Sequence, residues 1–136
     1  MDKIIKTVSV IVRNEEGKIL ALKRSPDKKW YPNKWDIISG TFNETESSYE
    51  CFCREILEEI GISTFELIEK RWPYIYEEKG QSWLVQPYRC TIGMETIRLN
   101  SEHSEYKWMT LQEILNSDHA APLRTELAVF YDVEKI

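Results

Sequence analysis

Gly40–Ile62 reads GTFNETESSYECFCREILEEIGI. The stretch passes from a glycine through a polar loop into a segment dense in carboxylates and stops at a second glycine. Glu46 follows Gly40 after five residues, Arg54-Glu55 follows after seven more, and Glu58-Glu59 and Gly61-Ile62 close the run. Ser47 and Glu50 have the spacing of a capping box, so a helix starts there, and Gly61 stands where a left-handed helix end is wanted. Glu55, Glu58 and Glu59 are spaced i, i+3, i+4 and share one helical face.

An apolar stripe of Tyr49, Phe52, Cys53, Ile56, Leu57 and Ile60 recurs at helical spacing, which predicts that the three acids face outward on the opposite side. Between Glu46 and Glu59 there are five acidic residues against one Arg and no Lys. Two unit charges about 4 Å apart repel by about 4 kcal/mol near a protein surface. Hard divalent cations with oxygen ligands are the natural compensation. An acidic helix face taken alone is usually no more than a solvated surface.

Working outward, Val8, Val10 and Val12 alternate in a β-branched run over residues 3–13, which predicts a strand. Asn14–Gly17 is a turn signal, and Lys18–Lys23 reads as a second strand folded back on the first as a hairpin. Ser25–Lys34 is a polar loop, and Trp35–Ser39 a short strand that delivers the chain to Gly40. Phe65–Glu77 and Trp83–Met94 form an antiparallel pair around Glu78–Gln81. Ser101–Glu105 is a loop and Tyr106–Met109 a short strand. Thr110 and Glu113 repeat the capping-box pattern for a helix to Leu115, and Pro122 opens a last helix. With no repeat, linker or low-complexity segment, the reading is one mixed α/β domain over residues 1–136.

The totals narrow the function. With 136 residues, 42% apolar and 30% charged, the chain is long enough for one continuous core. A net charge of −5, from 18 basic and 23 acidic residues, argues against a nucleic-acid groove but allows a small phosphorylated substrate held through metal ions. Cys51, Cys53 and Cys90 lack redox or zinc spacing and read as small buried hydrophobes in a reducing compartment. No run of 18 apolar residues and no signal pattern occurs, so a cytoplasmic protein without membrane contact is expected.

The glycine–glutamate–Arg-Glu–Glu-Glu–glycine pattern resembles the signature of the Nudix hydrolases. Every fixed position is filled: Gly40, Glu46, Arg54, Glu55, Ile56, Glu58, Glu59, Gly61 and Ile62. Seven specified identities at ordinary usage make a chance match rarer than about one in a hundred thousand. The resemblance implies a Nudix-type α/β/α sandwich with a mixed central β-sheet, and hydrolysis of a nucleoside diphosphate linked to another moiety, with Mg²⁺ or Mn²⁺ required. It implies Glu58 and Glu59 as principal metal ligands, with the main-chain carbonyl of Ser39 or Gly40 adding another. Glu55 takes the position that ligates metal or acts as general base. Arg54 orients the acids by reaching Glu58, and Glu46 supports. Glu105 resembles a late-loop acid that supplies the base or a further ligand, with His103 and Glu102 as competitors in the same loop.

Substrate contacts are less constrained. Ser39, Asn43 and Thr45 depart from the residues many relatives carry around the first glycine. Arg24 is a candidate to hold a phosphate, with Lys34, Lys28 and Lys29 assisting, and Trp35, Trp30 or Tyr31 to stack on a base. Trp72, Tyr74, Tyr76 and Trp83 read as sheet packing or a homodimer surface. By elimination of other subgroup markers, a MutT-like nucleoside triphosphate pyrophosphohydrolase leads, releasing monophosphate and pyrophosphate. The alternatives are an ADP-ribose or nucleotide-sugar hydrolase, an isomerase of isopentenyl diphosphate type, and a non-catalytic nucleotide-binding module.

Overall fold

The alternation read in the first strand divides the interior into two cores. A computed structural model describes residues 3–133. Residues 1–2 and 134–136, included in the single-domain expectation, lie outside the described residues. In β1 (Ile5–Arg13), Val8, Val10 and Val12 point to one face of the sheet and Ile11 to the other. In β2 (Ile19–Arg24), Leu20 and Leu22 join the first face and Ile19 and Ala21 the second. The first core is closed by α1 (Ser48–Ile60), and the second by α2 (Leu111–Leu115) and α3 (Pro122–Phe130). Helices on both faces of a mixed sheet make the expected α/β/α sandwich.

The expected β1–β2 hairpin is present but short, turning through Asn14–Lys18. The two strands meet only at Arg13 and Ile19. One edge of β1 is taken, over Thr7–Val10, by β4 (Ile38–Thr41), which runs antiparallel to it. The other edge runs parallel to β7 (Gln81–Thr91) along its whole length. Over the rest of its length β2 pairs with β3 (Trp35–Asp36) and β8 (His103–Met109). The sheet thus divides between β4 and β2, and the ends of β2, β3 and β4 line the division. Strand β8 begins at His103, earlier than the strand predicted from Tyr106. The predicted strand Phe65–Glu77 is two strands, β5 (Glu66–Lys70) and β6 (Tyr74–Glu78), both paired to β7. The break falls beside Pro73, which has no N–H to give a ladder.

Helix α1 has both bonds of its capping box, and Gly61 closes it at φ +72° with its N–H on the Leu57 carbonyl. Phe52 anchors the helix, stacked on Tyr88 at 4.5 Å between ring centroids and met edge-on by Phe65 at 4.9 Å. Truncating Phe52 to alanine should cost about 3–5 kcal/mol. The rotation of the helix differs from the expectation. Its buried residues are Cys51, Phe52, Glu55, Ile56, Glu59 and Ile60, whereas Tyr49 and Leu57 are exposed. The buried face is turned by roughly 80° from the apolar stripe, taking 100° per residue. Two of the three acids therefore point inward. Among the described residues, no helix is long and apolar enough to cross a membrane.

Candidate active site

Arg54 organises the acids. Its Nε and Nη2 donate to Glu46 at 2.6 and 2.9 Å, its Nη1 to Glu55 at 2.8 Å and Glu58 at 3.1 Å, and its Nη2 to the Thr41 carbonyl at 2.9 Å. One guanidinium thus ties the loop after β4 to two turns of α1, a task a lysine's single ammonium would not perform. These bonds, with the Asn43 N–H as a second donor, hold the Glu46 carboxyl down at about 2. Glu46 is thereby a fixed anion that positions Arg54.

Glu55 and Glu59 are 6% and 1% exposed, while the Glu58 side chain is 49% exposed. The outward ridge of three acids is corrected to two buried carboxylates and one at the mouth. The cause is the fit between α1 and β4: Gly40 has no side chain, and the Glu55 carboxyl occupies the space a Cβ would take. The first and central residues of the signature are therefore in direct contact.

Burial, followed by the neighbouring Glu55 carboxylate, pushes Glu59 well above the ordinary carboxylate range. Its Oε2 is buried and has no hydrogen-bond partner among the described residues. His103 Nδ1 lies 3.7 Å from the other oxygen, but burial pushes this imidazole down to about 4. The ring is neutral at neutral pH and gives Glu59 no compensating charge.

Glu102 completes the group. Oxygens of Glu55, Glu59 and Glu102 lie within 4.8 Å of one another. Burial pushes Glu102 up, but bonds from Asn100 and Lys28, each at 3.2 Å, outweigh it and leave its carboxyl below the usual range. Three converging carboxylates, one with an orphaned oxygen, suit a hard divalent cation. The carbonyl-bearing residues Ser39 and Gly40 line the same compartment, about 270 Å³ in volume, as do Arg24 and Lys28.

Glu105, expected as the late acid, is elsewhere. It lies on β8 with its side chain 57% exposed, paired with Lys23 at 3.9 Å, and outside the acidic compartment. Its competitor Glu102 lies in that compartment instead, just before the chain enters β8 at His103.

A second compartment of about 210 Å³ opens beside the first, and Arg24, Ser39, Gly40 and Thr41 line both. Its walls are Trp30, Tyr31, Tyr74, Tyr76 and Trp83. Trp30 meets Trp83 edge-on at 5.7 Å, and the hydroxyls of Tyr31 and Tyr76 both donate to Glu78. The loop before β3 wraps around Arg24, whose Nε donates to the Trp30 carbonyl at 2.8 Å and whose own carbonyl accepts from Asn33 N–H at 3.0 Å. That tight path leaves Tyr31 and Asn33 in the left-handed region, at φ +51° and +62°. Such a conformation costs roughly 1–2 kcal/mol for a residue with a Cβ.

Of the expected substrate residues, only Arg24 lines both compartments. Lys34 is turned away to Asp118 at 2.7 Å, and Trp35 packs into the second core beneath Lys23. Lys28, Trp30 and Tyr31 take those places. The hairpin aromatics Tyr74, Tyr76 and Trp83 form a cleft wall, against the expectation of sheet packing or a dimer surface, while Trp72 is exposed.

Two acids of this compartment went unread in the sequence. Asp36 is buried with Arg24 Nη1 at 3.4 Å and the Ile37 N–H at 2.8 Å. Burial raises its carboxyl despite Arg24. Glu126, on α3, is buried as well. The available signals were an acid inside the apolar run Trp35–Ser39 and an acid three residues after Leu123 on the last helix's apolar stripe.

With this geometry in place, known proteins can be compared. A family model described as NUDIX domain matches residues 3–131. A prenyl-diphosphate phosphatase of Methanosarcina mazei is 36% identical over 88% of this chain and 71% of its own length. A nucleoside triphosphatase, NudI, of Klebsiella pneumoniae is 23% identical over 90% of this chain and 94% of its own. The crystal structure of a MutT protein from Methanosarcina mazei superposes with a TM-score of 0.78 at 28% identity, covering 90% of this chain and 88% of that one.

Proposed function

This chain belongs to the Nudix hydrolase family, and on that premise we propose that it is a Mg²⁺-dependent pyrophosphohydrolase that cleaves a nucleoside triphosphate to monophosphate and pyrophosphate. The observation that carries the reading is the joined cleft: an acidic compartment and an aromatic compartment share Arg24, Ser39, Gly40 and Thr41. A triphosphate lies over the acids while its base lies between the aromatic walls. Glu55, Glu58, Glu59 and Glu102 hold Mg²⁺, which Mn²⁺ can replace, with the Ser39 or Gly40 carbonyl as a further ligand. When bound, such a cation neutralises phosphate oxygens and lowers the pKa of a ligated water.

The chain's own residues supply the rest. Arg24 and Lys28, which line the acidic compartment, hold phosphate oxygens. With Glu105 turned to solvent, the attacking water gives its proton to Glu55. Burial first raises that carboxyl above the ordinary range, which moves it toward the operating pH of a general base. Arg54 keeps Glu55 aimed, and the Gly40 backbone fixes its distance from the strand. The three cysteines form no disulfide, which supports a reducing cytoplasmic setting.

A second reading has its own support. The Methanosarcina relative is named for a prenyl diphosphate, and a hydrocarbon also fits aromatic walls. Against it, the same compartment contains Glu126, whose Oε2 has no hydrogen-bond partner among the described residues and would gain none from a prenyl chain. A panel of ordinary and oxidised nucleoside triphosphates, ADP-ribose, nucleotide sugars and prenyl diphosphates, with product masses, tests both. Monophosphate and pyrophosphate from a triphosphate are expected. ADP-ribose or a prenyl diphosphate as best substrate overturns the nucleotide reading, and double-bond migration without phosphate release overturns hydrolysis.

A further inference from the structure

Helix α3 buries Leu123, Glu126 and Leu127 on one face, so a carboxylic acid interrupts an otherwise apolar contact surface. Glu126 is 9% exposed, and its Oε2 is buried without a hydrogen-bond partner among the described residues. A buried carboxyl left in this state destabilises the free protein, and an apolar side chain of similar size would not. Yet the group lines the aromatic compartment, across which a ligand can reach it.

We propose that Glu126 selects the organic half of the substrate by hydrogen-bonding the edge of a planar heterocycle that carries a donor and an acceptor side by side. The inference rests on the nucleotide reading and adds the residue that reads the base and the kind of edge it accepts. The charged groups around Glu126 define its form. Asp36 faces it from β3 with Arg24 alongside, and Tyr74 faces it from β6. Arg24 is engaged by Asp36 at 3.4 Å, so this nearby cation already has an anion. Burial, and then the charge of Asp36, push the Glu126 carboxyl well above its ordinary range. Burial beside Asp36 thus favours its acid form, and a carboxylic acid has one O–H to give and one carbonyl oxygen to receive. Its complement is an N–H beside a ring nitrogen or carbonyl, as on lactam and amidine edges of nucleobases. Trp30, Tyr74 and Trp83 provide the apolar faces that hold such a ring.

The test compares wild type, Glu126→Gln and Glu126→Leu on the triphosphates of the common bases, reading kcat and KM separately. Glutamine also offers a donor beside an acceptor and should keep the order of base preference. Leucine should lower kcat/KM on the best nucleotide roughly 10- to 100-fold, chiefly through KM, and flatten the differences between bases. A Glu126→Leu enzyme that keeps the wild-type order of preference and KM values overturns the role of Glu126 while leaving nucleotide hydrolysis standing. A wild-type enzyme that consumes prenyl diphosphates and no nucleotide overturns both.

Discussion

Replacing Gly40 with alanine adds one carbon and two hydrogens, and the structure says where the damage falls. A Cβ at this position would overlap all three atoms of the Glu55 carboxyl at separations under 3.0 Å, which real Cβ atoms essentially never show. The backbone has no other objection, since Gly40 does not occupy the left-handed region. Relief must come from Glu55 moving. Restoring ordinary contact takes a shift of about an ångström or more, and a misplacement of about 1 Å in a catalytic group costs on the order of 100-fold in rate. Glu55 cannot retreat freely, because Arg54 holds it at 2.8 Å. Overpacking of this kind costs about 1–3 kcal/mol of stability, so the protein should still fold. The assay is steady-state hydrolysis at saturating Mg²⁺ beside a thermal melt and a calorimetric Mg²⁺ titration. The expected result is a folded Gly40→Ala protein with kcat/KM down about 100-fold and weakened Mg²⁺ binding. A variant within threefold of wild type would refute the placement of Glu55 against the strand as the basis of the site.

Glu58→Gln should lower turnover by about 100-fold while moving the melting temperature little, since Glu58 is exposed and only paired at the surface with Arg54; parallel kinetics and melts check this. Glu59→Gln should make the metal-free protein more stable, because it neutralises a carboxyl buried without a partner, and should abolish the stabilisation Mg²⁺ gives wild type, about 2.7 kcal/mol at one hundred times Kd. Melts in EDTA and in Mg²⁺ read both effects. Arg54→Ala should destabilise by about 1–3 kcal/mol, below the figure for a fully buried pair because Arg54 is a quarter exposed, and Arg54→Lys should recover only part of it. For Glu126, whose carboxyl is raised on folding, the folded chain keeps a proton that the unfolded chain has released above the ordinary value of 4.5. Its favourable balance is complete below that value and is lost as pH rises through the folded one. The melting-temperature advantage of Glu126→Leu over wild type should therefore grow as pH rises above 4.5 and level off once the folded carboxyl has ionised.

Local signals were legible where a short stretch determines its own structure. The capping boxes at Ser47 and Thr110, the left-handed Gly61 and the alternating valines of β1 all act within a few residues, and all stand as read. Family membership was equally plain, since the signature depends on identity and spacing alone. What failed was rotation and pairing. The apolar period put Tyr49 and Leu57 inside, but α1 is positioned by Gly40, whose missing side chain draws Glu55 inward, and by Phe52 on Tyr88. No window of α1 contains that information. The same holds for the length of the β1–β2 pairing, which stays short because β4 takes that edge of β1. Glu105 was misplaced because the start of β8 depends on its pairing with β2, through Arg24 and His103.

The correction to the helix strengthens the electrostatic argument that first singled it out. Acids fanned into water would repel weakly and need no ion, since solvent screens them. Acids held against β4 and under His103 cannot be screened in that way, and Glu59 is left with a proton or a cation as its two means of compensation. Glu126 presents the same physics without the metal, because its compartment is aromatic and its neighbours supply no free positive charge. A single substrate would satisfy both, its phosphates drawing cations to Glu59 and its base pairing with Glu126, across the Arg24–Gly40 boundary that the two compartments share. On this view both ends are compensated together only when one ligand spans the cleft, so protection by the intact nucleotide with a non-catalytic divalent cation such as Ca²⁺ should exceed the sum of the protections given, with the same cation, by base-bearing monophosphate and pyrophosphate separately. Melting-temperature shifts with each fragment and with the whole would measure it, and strictly additive fragments would show the two compartments to be independent.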